Sequence, residues 1–209
     1  MPLRPIQSER SAVVGMTKLA RSTCLMAGLL ASTLGLATCG GSAGGGSAGG
    51  LRHFDDQTVS FDYPGAWADA KFDVVSSFSS VLVYLSTAHL SDPCDRTANS
   101  IACVRRAASG LGPDGVLVEW SRNGFPGWTF DPTKGQPMNV GGRRATLEQV
   151  VPSQDDCGAI GGARELVVTI DDPTPDMNWT AVRACLRGPS LDGLQAQIEA
   201  MLATVAWKQ

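Results

Sequence analysis

The chain has 209 residues, 43% of them hydrophobic and 18% charged, which supplies a core for one packed domain and excludes a disordered chain. Four basic residues (Arg4, Arg10, Lys18, Arg21) and one acid (Glu9) precede the first apolar run, so the remainder holds 13 basic against 19 acidic residues, a balance of −6. That balance speaks against the basic face by which a protein grips DNA or RNA, and no nucleic-acid partner is expected.

Residues 1–38 read as a signal peptide whose start can equally be Met16. Lys18 and Arg21 give the positive flank, and Leu25 to Ala37 is an uncharged apolar run of 13 residues. Such a run matches the ~7–15 residues of a signal core and falls short of the ~20 that span a bilayer. The four residues Leu36-Ala37-Thr38-Cys39 at its end resemble the lipobox of bacterial lipoproteins, with Thr38 standing where Gly, Ala or Ser is usual. The resemblance implies cleavage before Cys39, lipid on Cys39, and attachment to the extracytoplasmic face of the cell membrane. Plain secretion is the alternative.

Residues 39–50 then form a tether. Gly40 to Gly50 contains only Gly, Ser and Ala, so it buries nothing and spans roughly 18–20 Å as a flexible coil. Two stretches in it, Gly40 to Gly44 and Gly45 to Gly49, match G-x-S-x-G. A nucleophile elbow requires a strand before the serine and a helix after it, and neither is predicted here.

Residues 51–209 read as a single extracytoplasmic domain. Val59, Phe61 and Tyr63 alternate with polar residues, the period of a half-buried strand, before the Pro64-Gly65 turn. Trp67 is expected to fold back on the core. Phe72 to Ser76 and Val81 to Leu85 are predicted strands. Ser86 to Gly115 reads as a disulfide-pinned polar loop with a short helix over Ile101 to Ala108. Val116 to Trp120 is a strand and Asn123 to Gly142 a turn-rich stretch. Arg144 to Val151, Glu165 to Asp171 and Trp179 to Leu186 are further strands. Ser190 stands at an N-cap, and Leu191, Leu194, Ile198, Met201 and Leu202 repeat at helical spacing, which predicts a helix over Leu191 to Ala203. Thr204 to Trp207 closes the chain as a short strand.

Once Cys24 is removed with the signal and Cys39 assigned to lipid, Cys94, Cys103, Cys157 and Cys185 remain. An even number in an oxidising compartment predicts two disulfides out of three pairings, with Cys94–Cys103 and Cys157–Cys185 preferred. No C-x-x-C pair exists and neither His53 nor His89 stands near a cysteine, so no metal site and no cofactor are predicted.

The fold class expected from these elements is α+β, a mainly antiparallel sheet packed by the C-terminal helix. Phe61-Asp62-Tyr63-Pro64-Gly65-Ala66-Trp67 at the start and Leu191 to Trp207 at the end resemble the PsbP-like domain of several actinobacterial lipoproteins. That resemblance implies an α/β/α sandwich and a binding or accessory role.

No catalytic residue is identified. His53 adjoins the tether, and His89 lies in a polar loop near Asp92 and Asp95. The acids Asp55-Asp56, Asp155-Asp156 and Asp171-Asp172-Pro173-Thr174-Pro175-Asp176 read as solvated turns, and Arg143-Arg144 as a solvated or ion-paired stretch. Phe125, Trp128 and Phe130 stand in a turn-rich loop and form a candidate binding surface or a small satellite core. The function expected is a non-enzymatic, membrane-anchored binding module of the cell envelope, whose partner is an envelope protein or an apolar ligand. An extracytoplasmic hydrolase and a carrier of lipid-like molecules are the alternatives.

Overall fold

The computed structural model describes residues 49–97, 100–103, 106–172, 174 and 177–208, all within the unit Gly45–Gln209. The signal peptide, Cys24, Cys39, the tether up to residue 48, and Asp176 lie outside the described residues.

The chain enters through β1 (Leu51–Asp55) and β2 (Val59–Pro64), an antiparallel pair with Phe54 opposite Phe61. Asp56 builds the turn between them, because its Oδ1 accepts the backbone N–H groups of Thr58 (2.7 Å) and Val59 (2.9 Å). β3 (Ala68–Ala70) and β4 (Ser79–Ser86) follow, then the short pair β5 (Cys94–Arg96) and β6 (Ile101–Cys103). β7 (Gly115–Asn123), β8 (Gln136–Val140), β9 (Arg143–Val150), β10 (Arg164–Asp171) and β11 (Trp179–Arg187) supply most of the main sheet. Helix α1 (Leu191–Ala203) and β12 (Ala206–Trp207) end the chain.

Seven strands form one sheet in the order β3-β4-β7-β11-β10-β9-β8, and β1-β2-β12 form a second. The pairings within both sheets are antiparallel. Alternation decides which residues face where. One face of the large sheet carries Val83, Val118, Trp120, Val168, Ile170 and Val182, all buried, and packs against β2 and α1. Phe61 of β2 stacks on Trp120 of β7 with ring centroids 4.5 Å apart, so the two sheets meet through aromatic rings. Helix α1 buries Leu194, Ile198, Met201 and Leu202, as its 3.6-residue spacing requires. Ser190 stands before the helix but its side chain makes no capping bond. Arg164 of β10 instead holds the first turn, donating to Asp192 (2.7 Å) and Gln195 (3.0 Å).

The opposite face is covered differently. A smaller core of Tyr84, Ala107, Ala108, Leu111, Leu117 and Ile160 lies under two connecting loops. Both disulfides are present, Cys94–Cys103 and Cys157–Cys185. The first joins cross-strand partners of β5 and β6, with Cα atoms 3.9 Å apart. The second fastens a single 3₁₀ turn (Cys157–Ile160) to β11, with Cα atoms 5.5 Å apart.

The α+β expectation, and with it the PsbP-like α/β/α sandwich, is overturned. Strand takes up 46% and helix 11% of the described residues, so α1 is too little helix to form a layer on each side, and the second face is roofed by loops. Three local readings fail for related reasons. Ile101 to Cys103 is strand and not helix, because pairing with β5 holds it extended. Phe72 to Ser76 forms no strand and contributes only a bridge from Val75 to Ser80. Asn123 to Gly142 contains β8, whose Pro137 is tolerated because β8 is an edge strand.

Asp172 is also not a solvated turn acid. It is buried at the end of β10, with Oδ1 2.6 Å from Arg143 Nη1 and Oδ2 3.5 Å from Arg122 Nε. Thr180 Oγ1 donates to the same carboxylate at 3.1 Å. Arg143 in turn lies over the Trp207 ring at 3.9 Å, and Trp207 Nε1 donates to the Val140 carbonyl at 2.9 Å. One buried carboxylate therefore links β7, β9 and β11 and, through Arg143, the C-terminal strand.

Removing one partner of a buried pair leaves the others without compensation, so Asp172→Asn is expected to lower unfolding free energy by about 3 kcal/mol. Urea denaturation of the two proteins, compared at equal m-value, measures this. The disulfides are expected to differ in their contributions, because they close chain separations of 28 and 9 residues. Chain entropy assigns about 3.5 kcal/mol to the longer loop and about 2.5 to the shorter. Cys157→Ala/Cys185→Ala should therefore unfold at lower denaturant than Cys94→Ala/Cys103→Ala.

Candidate functional site

On the second face, side chains at alternate positions of neighbouring strands line up across the sheet. Tyr84, Glu119, Arg183, Val167 and Glu148 are successive cross-strand partners on β4, β7, β11, β10 and β9. The loops at one end bring Arg106 and Asp156 over this row. Arg106 Nη1 lies 3.9 Å from Glu119 Oε2, and its guanidinium contacts the Asp156 carboxylate. Arg183 Nη1 lies 3.7 Å from Asp156 Oδ2 and 3.9 Å from Glu165 Oε1. Three carboxylates thus share two guanidinium groups between the floor of a trough and the loops at its end.

The trough opens into two hollows. One, of about 500 Å³, lies over Tyr84, Glu119, Arg106 and Asp156. The other, of about 220 Å³, lies over Arg183, Glu148, Val167 and Thr169 and is walled by Trp128 and Trp179. Glu119 and Arg183 are direct cross-strand partners, so the two hollows share a floor.

The wall is built by the loop after β7. Phe125-Pro126-Gly127-Trp128 forms a tight turn closed by Trp128 N–H donating to the Phe125 carbonyl at 3.1 Å. Gly127 takes φ +77°, which Pro at the second and Gly at the third position of such a turn supply without strain. The turn sets Trp128 on Trp179, with ring centroids 4.2 Å apart and planes 28° from parallel. Further along, Gly135 has φ +97°, and a Cβ there would come within 2.6 Å of the Leu147 carbonyl oxygen. That glycine lets the loop press onto β9 and places Lys134 Nζ 3.6 Å from Glu148 Oε1.

The loop residues read from the sequence divide into three. Trp128 walls the smaller hollow. Phe130 lies under the Arg144 guanidinium at 5.3 Å and borders a neighbouring hollow of about 390 Å³ that Trp128 also lines. Phe125 points away, 53% exposed, against the equally open Phe78 at 5.1 Å. Arg143-Arg144 and Asp171-Asp172 prove to be partners across β9 and β10, with Arg144 Nη2 2.5 Å from Asp171 Oδ2. Trp179, Arg183, Glu148 and Lys134 escape the sequence reading. The available signal was Trp179-Ala181-Arg183, a polar-tolerant face alternating with Thr180 and Val182 in an otherwise apolar strand.

His53 Nδ1 lies 2.7 Å from Asp62 Oδ1 on the exposed β1–β2 ladder, where the two residues are cross-strand partners. His89 is exposed in the loop after β4. Among the described residues no group of three or more His, Cys, Asp or Glu is placed to hold a metal ion. No protein-family model and no curated protein matches the chain.

The chain's two tyrosines report on this packing. Burial, with the Glu119 carboxylate beside it, pushes the Tyr84 phenol far up from its ordinary value. Burial and a 3.0 Å hydrogen bond to Asp69 push Tyr63 up to about 12. Unfolded tyrosines ionise near 10, so the folded state holds both protons over a range in which the unfolded chain releases them. Stability from these groups is complete below about pH 10 and is lost as pH rises toward and past 12. Absorbance titration at 295 nm should show no tyrosinate in the native protein at a pH where the urea-unfolded chain is half ionised.

Proposed function

We propose that the chain is an exported lipoprotein, held at the outer side of the cell membrane through Cys39, whose domain binds a partner on the open second face of its large sheet. The observation that carries the reading is that face. Elsewhere the sheet is roofed by a second sheet, a helix or disulfide-pinned loops, whereas the trough beside Trp128 and Trp179 is open and lined with groups able to make hydrogen bonds. Two cystine bridges in so small a domain fit an oxidising compartment. They agree with the apolar run and Leu36-Ala37-Thr38-Cys39 upstream.

Binding suits the trough better than hydrolysis. Glu119, Asp156, Glu165 and Glu148 each lie within 4 Å of an arginine or lysine, so their charge is engaged in pairs inside the protein. A general acid wants apolar surroundings, and a nucleophile wants a base aligned on it; the trough is built of ion pairs. A carrier of lipid-like molecules wants an enclosed apolar cavity, and these hollows are open and edged with charge.

Detergent-phase partition followed by intact-mass analysis tests the anchor. The wild-type chain purified from membranes is expected in the detergent phase with a diacylglycerol thioether on Cys39, and Cys39→Ala in the aqueous phase. Wild-type protein that stays aqueous and carries no lipid on Cys39 overturns the anchoring.

A further inference from the structure

We infer that the hollow walled by Trp128 takes an uncharged, polyhydroxylated ligand, one ring of an oligosaccharide chain. The inference deepens the binding reading of the trough and rests on it. Three observations select the class.

The first is charge balance. Asp131 and Glu148 face Lys134 and Arg183 around the hollow, two anions against two cations. Glu148 pairs with Lys134, and Arg183 with Asp156 and Glu165. A phosphate or carboxylate ligand would need an excess of cations here, and a cationic peptide an excess of acids. The second is the density of hydrogen-bonding groups. Thr129 and Thr169 add hydroxyls to the charged rim, and Thr169 stands on the floor beside its buried cross-strand partner Thr146. A ligand that both donates and accepts at short intervals satisfies such a lining, and an apolar one leaves it unpaired.

The third is the aromatic wall. Trp128 is backed on one side by Trp179 at 4.2 Å, which fixes the ring before any ligand arrives. A sugar ring offers a flat C–H surface to an aromatic face while its hydroxyls reach outward, which is the distribution of groups this wall and floor complement. The volume agrees with a single ring. About 220 Å³ is below the ~300 Å³ at which pockets for whole drug-sized ligands begin. Trp128 also lines the adjoining hollow of about 390 Å³, so neighbouring rings of one chain can occupy the two.

The test uses the purified mature protein, titrated with chitotetraose, maltotetraose, xylotetraose and laminaritetraose while tryptophan emission is followed. In parallel it is sedimented with protein-stripped cell wall of the host cell. At least one tetrasaccharide or the wall is expected to bind, with an affinity insensitive to added salt because no net charge is neutralised. Trp128→Ala should weaken binding by about tenfold or more, as loss of a central aromatic anchor does. Trp128→Phe, which keeps a ring, should retain most of it, and near-UV circular dichroism checks that both variants fold. Sugar binding that Trp128→Ala leaves unchanged overturns the proposal. Failure of every sugar and of the wall, with Trp128-dependent capture of an envelope protein instead, overturns the sugar class and leaves the binding module. Failure of all of them overturns both.

Discussion

A seven-stranded sheet has two faces to remove from water, and the described residues hold one α-helix with which to do it. Thirteen residues of helix extend about 20 Å, enough to cross a few strands on one side. The remainder of that side is closed by β1, β2 and β12, so Phe61 and Val59 meet Trp120 and its neighbours where a second helix would otherwise stand. Nothing comparable is left for the opposite face. There the chain uses loops, and loops bury little on their own because their backbone groups need partners. The Cys157–Cys185 bridge and the Leu111 N–H bond to the Ile160 carbonyl hold them down over a small core. The cover reaches only one end, and the trough is what remains.

The polar groups follow from the same shortage. An arginine or acid in mid-strand on a well-covered face would be stranded, and on the first face the buried exception, Asp172, is met by two arginines and a threonine hydroxyl. On the second face Arg183 and Glu165 occupy positions that on a doubly covered sheet would hold valine or isoleucine. Glu165 stays compatible with burial because the half-exposed Arg183 faces it, and Asp156, carried in by the roofing loop, completes the charge pattern. The roof and the floor are therefore matched electrostatically as well as by packing, with Arg106 reaching from one to the other.

How much of this the residues announce depends on whether the signal is local. The alternation of Val59, Phe61 and Tyr63 and the helical spacing of Leu194, Ile198 and Leu202 are each contained in one element, and both are read correctly. β1 is missed because Leu51-Arg52-His53-Phe54-Asp55 buries only Phe54; its strand form comes from pairing with β2. The fold class is misjudged for a related reason. One strong amphipathic helix suggests a helical layer, and only topology reveals that a three-stranded sheet shares that layer and that loops make the other. The pairing of Arg143-Arg144 with Asp171-Asp172 depends on the register of β9 on β10, which places Ala145 opposite Ile170. Either dipeptide alone is an ordinary charged turn. Trp128 was legible as a candidate, but its partner Trp179, 51 positions later, was not.

The position of Trp128 is in the end a consequence of strand order. β7 lies third from one edge of the sheet and β8 is the opposite edge, with β11, β10 and β9 between them. The connection from Asn123 to Gln136 must therefore traverse four inter-strand steps, about 19 Å at ~4.8 Å each. A chain that crosses three strands has to lie against them, and β2, α1 and β12 already take the first face. The crossing runs beside the ends of β11 and β10, where the Pro126-Gly127 turn lays Trp128 on Trp179 and Gly135 lets the chain drop onto β9. The aromatic wall and the open floor beside it are thus fixed by one topological step.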